Sequence, residues 1–266
     1  MAGGLGVYAV EAFNTAKQSE NKMHDDAVAR RFGFAGGLVP GVEVLAYMLH
    51  QPVARWGRAF LERGLIEARF IKPVYDGEMA EVRAEQVGDG IGLEVTSQGQ
   101  LCATGSASLP AVAPDVVLAE YRDVPPAAMR PPVSAESFAV GSWLGTAPRA
   151  WPGQAAKLYL DEIRERDPLY ANDRLGHPGM LQRVMNRLLV DNVVLGPWIH
   201  VGSRMQLLSV IAETDEITAR GRVVANYEKK GHRFVELDAL VVANGTTPIA
   251  HCQHIAIYQP REQAAA

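Results

Sequence analysis

Hydrophobic and polar residues in the first half of the chain predict a fixed order of elements. The run from Gly6 to Phe13 is strand-like, and a polar loop leads to a short helix predicted over Asp25 to Phe32. A strongly apolar helix is predicted over Gly41 to Leu49; Pro52 is expected to end or kink it, and an amphipathic helix continues over Val53 to Glu62. Four strands with hairpin spacing follow, at Ile66 to Pro73, Met79 to Val87, Gly92 to Ser97 and Leu101 to Leu109.

The second half repeats this order. Phe138 to Gly145 echoes the first strand, and Pro178-Gly179-Met180 echoes Pro40-Gly41-Val42 at the start of an apolar helix, predicted over Met180 to Asp191. The later strands are predicted at His200 to Ile211, Glu216 to Tyr227, Arg233 to Ala243 and Thr247 to Tyr258. Several short matches in the same order, offset by about 130 to 140 residues, indicate two copies of one unit.

The segment from Pro110 to Glu136 separates the two copies. Its six prolines are incompatible with regular structure, so we interpret it as a linker. The predicted organisation is a first unit over residues 1–109, the linker over 110–136, a second unit over 137–260 and a tail over 261–266. One strand, an apolar helix and an antiparallel meander are the order of a hotdog unit, in which a curved sheet wraps a central helix. The predicted fold is therefore α+β, a double hotdog of two tandem units.

Composition narrows the classes of partner. The net charge of -4 gives no electrostatic reason to expect nucleic acid. No basic segment precedes an apolar stretch at the N-terminus, and no window approaches the roughly 18 apolar residues of a membrane span, so we expect a cytoplasmic protein without membrane contact. Cys102 and Cys252 lack C-x-x-C spacing and are expected to be reduced core thiols. The histidines are dispersed, which predicts no metal site.

The loop before the apolar helix carries the candidate chemistry. Asn21 and His24 have Asn-x-x-His spacing, Asp26 follows two residues later, and Gly41 lies 17 residues after His24 in the Pro-Gly pair that opens the helix. This segment resembles the signature of MaoC-like (R)-specific enoyl-CoA hydratases. The resemblance covers residues 8 to about 109, and the second half resembles the family only as a diverged copy.

The resemblance implies a hydratase or dehydratase acting on an acyl thioester, with His24 as general base and acid. It also implies that the backbone N–H of Gly41, or of Val42, stabilises the enolate oxygen at a helix N-terminus. The same residues also have purely structural interpretations. His24 could orient the short helix that follows, Asn21 could fix a turn, and Gly41 could permit close packing of helix on sheet.

One position departs from the family. The family's acid, five residues before the histidine, falls on Ser19, and serine cannot perform a carboxylate's proton transfer. Glu20 is one candidate replacement, because its longer side chain could reach the same water. Glu43, in the first turn of the apolar helix, is a second candidate. A site without any carboxylate is the third alternative.

Substrate contacts are predicted in both halves. The candidates beside the first helix are Asn21, Pro40, Val42 and Glu43. No Asn-x-x-His loop precedes the second helix at the right distance, so the second copy is expected to have lost catalysis and to form a wall of the ligand site. Its candidates are His177 and His200, with Asn186 and Arg204.

Three functions remain open from the sequence. The first is hydration or dehydration of an enoyl or 3-hydroxyacyl thioester of CoA or acyl carrier protein, with no cofactor beyond that thioester. The second is thioester hydrolysis, which the same fold supports and which commonly needs a carboxylate. The third is acyl-thioester binding without catalysis, suggested by the missing aspartate. A homodimer is consistent with the resemblance.

Overall fold

A computed structural model describes residues 5–151 and 153–261, so the predicted tail lies outside the described residues from position 262 onward. The strands are β1 Leu5–Glu11, β2 Leu65–Phe70, β3 Met79–Val87, β4 Gly90–Ser97, β5 Gln100–Ser108, β6 Trp143–Gly145, β7 Arg149–Ala150, β8 Ile199–Leu207, β9 Glu216–Lys229, β10 His232–Ala243 and β11 Thr247–Gln259. The helices are α1 Asp26–Arg31, α2 Gly41–Trp56, α3 Arg58–Arg63, α4 Gly153–Glu162, α5 Pro168–Asn172 and α6 Gly179–Val190.

These strands form one antiparallel sheet. Its order is β1-β3-β4-β5-β2-β8-β11-β10-β9-β6, with β7 beside β9. The two halves meet where β2 pairs with β8, from Leu65 opposite Gln206 to Arg69 opposite Gly202. On each side of this junction the strands follow in the same relative order, counted outward from β2 and from β8. The α+β double hotdog predicted from the repeat is confirmed.

Each half wraps its sheet around one central helix. Helix α2 packs against strands of the first half, α6 packs against strands of the second, and the two helices contact each other. Both helices begin directly after a proline, at Gly41 and Gly179. Most residues of α2 are buried, and a helix that is apolar on nearly all sides is typical of a domain core. Helix α2 therefore positions its N-terminus firmly against the sheet.

The break after the central helix of the first half lies later than the sequence predicted. Helix α2 continues through Pro52 to Trp56 and ends at Gly57, whose φ of 55° few side chains tolerate. Proline removes only its own N–H from the helical ladder, and the turn around Pro52 is buried between Gln51 and Val53. Packing of this turn offsets the lost hydrogen bond, so of the two effects predicted for Pro52, an end of the helix is wrong.

The second half differs from prediction in two places. Strand β6 begins only at Trp143, because Gly141 has a φ of 89° and interrupts the extended run predicted from Phe138. Helices α4 and α5 were not predicted, since among their described residues α4 buries only Ala156 and Tyr159 and α5 buries only one side chain, which leaves a weak periodic signal.

The linker is mostly irregular, as its prolines suggest, with one exception. Leu118–Glu120 forms a single 3-10 turn, so regular structure is not fully excluded from residues 110–136. Arg220 on β9 anchors this segment by donating to Asp123 at 2.8 Å. Val133 N–H donates to the carbonyl of Val194 at 3.1 Å. Cys102 and Cys252 are both free and buried.

Candidate functional site

A cavity of about 270 Å³ lies where the first half's loop and central helix meet the start of β8. It is mainly apolar and includes three histidines. The described residues that line it are Asn21, Met23, His24, Phe34, Leu38, Val39, Pro40, Gly41, Val44, Phe70, Ile71, Lys72, Pro73, Val74, Asn186, Trp198, Ile199, His200, Val201, His232 and Ile257. The structure therefore brings together the candidates Asn21, His24, Pro40, Gly41, Asn186 and His200.

His24 is held in one tautomer. Its Nδ1 lies 2.7 Å from the carbonyl oxygen of Leu38, which can only accept, so Nδ1 carries the proton. Its Nε2 lies 3.1 Å from the side-chain amide nitrogen of Asn21 and accepts a hydrogen bond from it. Burial lowers the pKa of His24, and the hydrogen bond to Leu38 opposes this in part. The imidazole is thus neutral, with a lone pair on Nε2 able to accept a proton.

Asn21 fixes the orientation of that ring. Its Oδ1 accepts from the backbone N–H of Trp198 at 3.0 Å and from that of Met23 at 3.2 Å. Its Nδ2 donates to the carbonyl of Trp198 at 3.0 Å as well as to His24. Because Trp198 offers one donor and one acceptor, the amide cannot flip without losing both contacts. Asn21 therefore caps the 3-10 turn Lys22–His24 and also ties the loop to the second half.

Gly41 lies where both of its interpretations from sequence can be examined. It is the first residue of α2 and lines the cavity, where the positive end of a helix favours an anionic oxygen. A Cβ at this position would lie 3.0 Å from Nδ1 of His200 and 3.3 Å from that residue's carbonyl oxygen. These contacts would be tighter than most Cβ contacts, so glycine favours the close approach of α2 to β8.

None of the acid candidates lines the cavity among the described residues. Ser19 donates its hydroxyl hydrogen to the carbonyl of Asn21 at 3.2 Å. Glu20 has a side chain that is 71% exposed and pairs with Arg130 at 2.9 Å. The hypothesis that Glu20 replaces the family's acid has no support in this geometry, because that carboxylate is directed to the surface and held there by the linker.

Glu43 is buried at the contact of the two central helices instead of in the cavity. Its Oε1 accepts from Thr15 at 3.0 Å and from Arg183 of α6 at 2.8 Å. Burial raises the pKa of Glu43, while Arg183 acts in the opposite direction. Val42, predicted as a substrate contact, is likewise buried and does not line the cavity. Both side chains are directed away from the cavity by their positions on the helix.

The second-half candidates separate into three places. His177 does not line the cavity; it is buried at the start of α6, where its Nδ1 accepts from Gly179 N–H at 3.0 Å. Burial lowers the pKa of His177 to about 4. His200 does line the cavity, and its Nε2 lies 2.8 Å from the hydroxyl of Ser203. Arg204 lies in a neighbouring cleft.

Sequence analysis did not assign several cavity residues. Lys72 follows β2, His232 begins β10, and Trp198 supplies the backbone groups that hold Asn21. Lys72 lies in the strand predicted over Ile66 to Pro73, within the range of the family resemblance, and that position was a usable signal. Trp198 gave none, because it acts through its backbone at a site 177 residues away from Asn21 along the chain.

Two further properties concern the described residues alone. In residues 5–151 and 153–261, no set of three or more His, Cys, Asp and Glu side chains is arranged to hold a metal ion. No helix in the same part of the chain has the length and apolar character needed to cross a bilayer.

Comparison with known proteins identifies the fold. No protein-family model and no curated relative matches the chain. The structure is similar to a MaoC domain protein dehydratase from Chloroflexus aurantiacus J-10-fl, with a TM-score of 0.65 and 11% identity over 97% of this chain and 94% of that one. It is also similar to a double-hotdog protein from Mycobacterium tuberculosis, with a TM-score of 0.64 and 13% identity over 97% and 96% of the two chains.

A trans-AT PKS dehydratase domain from Brevibacillus brevis has a TM-score of 0.54 and 10% identity over 96% of this chain and 94% of its own. At such identities the likeness shows the fold and leaves the chemistry to be argued from the site. The chain is a double hotdog, the fold of MaoC-like and polyketide dehydratase structures.

Proposed function

We propose that this protein is a hydratase or dehydratase of acyl thioesters in which His24 is the only group that transfers protons. The observation that carries the proposal is the state of His24. It is neutral, its tautomer is fixed by Leu38, and its accepting Nε2 lies in a cavity that also contains the N-terminus of α2. A base and a site for a developing oxyanion are the two parts that this reaction needs most.

The reaction can be written with this one base. In the dehydration direction, Nε2 of His24 gives up its hydrogen bond from Asn21 and takes the C2 proton of a 3-hydroxyacyl thioester, and the negative charge moves to the thioester oxygen. The N–H of Gly41 and the dipole of α2 stabilise that oxygen. The imidazolium then protonates the C3 hydroxyl, which leaves as water while the C2–C3 double bond forms. Hydration is the reverse sequence.

Asn21 helps to return the proton. Once Nε2 is protonated, it and the amide nitrogen of Asn21 are both donors, so their hydrogen bond is lost. The amide stays in place because Trp198 holds it from both sides. Burial already lowers the pKa of His24, which makes its charged form a stronger acid toward the leaving hydroxyl.

The absence of a carboxylate from the described lining of the cavity has three consequences. A second acid–base group is typically worth about 10² to 10⁴ in rate, so we expect turnover slower than that of a dehydratase with a histidine and an aspartate. The same observation favours, as the second candidate, a protein that binds acyl thioesters without turnover. It counts against thioester hydrolysis, for which a carboxylate commonly activates water.

Purified protein can decide among these functions. Crotonyl-CoA and longer enoyl-CoAs are followed by loss of the enoyl absorbance, and saturated acyl-CoAs are followed by release of free thiol. The proposal predicts loss of the enoyl absorbance without thiol release. Thiol release alone would support a thioesterase. Saturable binding of acyl-CoA with neither reaction would support the binding protein and contradict the proposal.

A further inference from the structure

The loop between α1 and α2 packs against His24, and we call its residues 33–38 the cover loop. Phe34 and Leu38 of this loop line the cavity. The carbonyl of Leu38 accepts the hydrogen bond from Nδ1 of His24 at 2.7 Å. The position of the cover loop therefore helps to set which ring nitrogen carries the proton and which one has the lone pair.

Gly37 packs directly against the backbone of His24. A Cβ at Gly37 would overlap the carbonyl oxygen of His24 and would lie 2.8 Å from its carbonyl carbon, closer than side chains are found. The same carbonyl oxygen accepts from Nδ2 of Asn14 at 3.0 Å, which holds the His24 backbone in turn. Glycine, which has no Cβ, is what allows the cover loop to lie this close to the histidine.

One side chain holds Gly37 in this position. Oδ1 of Asp26 accepts from the backbone N–H of Gly37 at 2.7 Å. The side-chain cap of α1 is already supplied by the preceding residue, Asp25, which accepts from the N–H of Val28 at 3.0 Å. Asp26 is therefore not needed as the cap of its helix, and its carboxylate instead bridges α1 to the cover loop. A hydrogen bond to a carboxylate is stronger than one between neutral groups.

Loss of this bridge would be transmitted to the ring of His24. Gly37 is buried, so its N–H has no water to bind once the carboxylate is removed. Gly37 and Leu38 are joined by one peptide, so a shift of the first moves the carbonyl of the second. Leu38 has a backbone contact of its own, since its N–H donates to the carbonyl of Met23 at 3.3 Å. The Leu38 carbonyl should therefore be loosened from His24 without opening of the whole cavity.

We propose that Asp26 is a positioning residue for His24, which it reaches through Gly37 and Leu38. It keeps the Leu38 carbonyl against Nδ1, so that Nε2 remains the accepting nitrogen of the ring. Asp26 does not line the cavity and is not a substrate contact. The effect on turnover rests on the proposed function, because it assumes that His24 transfers the proton. The effect on the imidazole proton does not depend on any reaction.

Nitrogen-15 NMR of the imidazole tests this positioning without substrate. A hydrogen-bonded Nδ1–H exchanges slowly with water, so wild type should show this proton near neutral pH, and its absence from His24→Gln identifies it. In Asp26→Ala the proton should be lost from the spectrum or should exchange at least about tenfold faster. Asp26→Asn should keep it, because the amide oxygen of asparagine can still accept from Gly37.

Turnover of enoyl-CoA gives a second readout. A displacement of about 1 Å in a catalytic group can lower the rate about a hundredfold. Because Leu38 keeps its contact with Met23, we expect a smaller fall in kcat for Asp26→Ala, of about tenfold. Asp26→Asn should restore most of this loss. KM should change less than kcat, because Asp26 does not line the cavity.

Asp215→Ala is a matched control. Asp215 likewise accepts from a backbone N–H, that of Ala212 at 2.8 Å, and it does not line the cavity. Its removal should lower the urea midpoint and leave the His24 proton and kcat unchanged. If Asp26→Ala also lowered only the urea midpoint, with the His24 proton still protected, Asp26 would stabilise the fold alone and the inference would be overturned.

Failure of this inference differs from failure of the proposed function. Loss of the protected proton in Asp26→Ala, in a protein that does not turn over enoyl-CoA, would keep the positioning role and contradict the hydratase. Enoyl-CoA turnover with kcat and the His24 proton unchanged in Asp26→Ala would keep the reaction and overturn the positioning role.

Discussion

At the scale of single residues, the site depends on one asparagine that makes four hydrogen bonds. Asn21→Ala removes the contacts to His24, Met23 and both backbone groups of Trp198. The two Trp198 groups are buried, so we expect a loss of about 1 to 3 kcal/mol in the free energy of unfolding. We also expect lower kcat, because only the contact with Leu38 then orients the imidazole. Urea unfolding and enoyl-CoA turnover measure the two effects.

Asn226→Ala is a matched control for that variant. Asn226 also bridges separate segments, donating to the carbonyls of Ala135 and Phe138 and accepting from Tyr258, but it does not line the cavity. It should lower stability and leave kcat unchanged. If both asparagine variants lowered kcat in proportion to stability, Asn21 would have no role beyond folding.

Single residues were only partly predictable from the sequence. Asn21, His24 and Gly41 belong to one local motif, and the structure places all three at one cavity. The positions of the Glu20 and Glu43 side chains could not be predicted from neighbouring residues. Each carboxylate pairs with an arginine more than a hundred residues away along the chain, Arg130 and Arg183 respectively. Sequence spacing records neighbours along a helix or strand and carries no record of such partners.

At the scale of elements, Glu43 stabilises the contact of α2 with α6 through Arg183, which predicts a structural role for this carboxylate instead of a catalytic one. Glu43→Gln should lower the free energy of unfolding by about 3 kcal/mol, since removing one partner of a buried ion pair leaves the other charge uncompensated. Arg183 retains Glu162 at 2.8 Å, which limits the loss. We expect kcat and its pH dependence to stay as in wild type, measured on the folded fraction.

Glu162→Gln is the control, since it removes the more exposed partner of the same arginine and should cost less. A large fall in kcat in folded Glu43→Gln would contradict this structural role and indicate that Glu43 acts as the catalytic acid.

The predicted element boundaries agree with the structure where the hydrophobic pattern extends over many residues. Strands β3 and β9 to β11 each have nine or more residues and begin within one residue of prediction. The prediction errors occurred where packing overrides a local signal, or where the hydrophobic pattern is weak. Pro52 is tolerated because its turn is buried, and the short helices α4 and α5 bury few side chains.

At the scale of the whole molecule, three buried histidines and the partly buried His24 link stability to pH. Burial lowers the pKa of each: His24, His177, His200 and His254. The unfolded chain binds protons near the ordinary value of 6.5 and the native state does not, so this stability is present above that value and is lost as pH falls below it. We expect the free energy of unfolding to fall from pH 7.5 to 5.5, by up to about 1.4 kcal/mol per unit for each histidine.

Chemical denaturation at several pH values in that window tests this expectation. Burial raises the pKa of Glu43, which acts in the opposite sense to the histidines, and a window that stops at pH 5.5 avoids the ordinary range of carboxyl groups. His177→Gln should have a shallower pH dependence than wild type, because one of the four groups is gone. A free energy of unfolding that is constant between pH 7.5 and 5.5 would contradict buried, neutral histidines.

The arrangement of the whole molecule was the most predictable part. Two copies of one strand–helix–meander order in the sequence become two mirrored strand orders about the β2–β8 junction. The second half was expected to form a wall of the ligand site, and the cavity does cross this junction: the first half supplies His24 and Gly41, and the second supplies Trp198 and His200. The contribution of Trp198 was not predicted. The divergence of the second copy has a physical reason, since its own helix start is filled by His177, Tyr159 and Tyr170.

The central claim is that His24 transfers the proton, and His24→Gln tests it most directly. Glutamine can keep hydrogen bonds in the buried position but cannot accept and return a proton at neutral pH. We predict that enoyl-CoA hydration falls by at least about a hundredfold while CoA affinity and the urea midpoint stay close to wild type. Hydration that survives unchanged in folded His24→Gln would contradict the account.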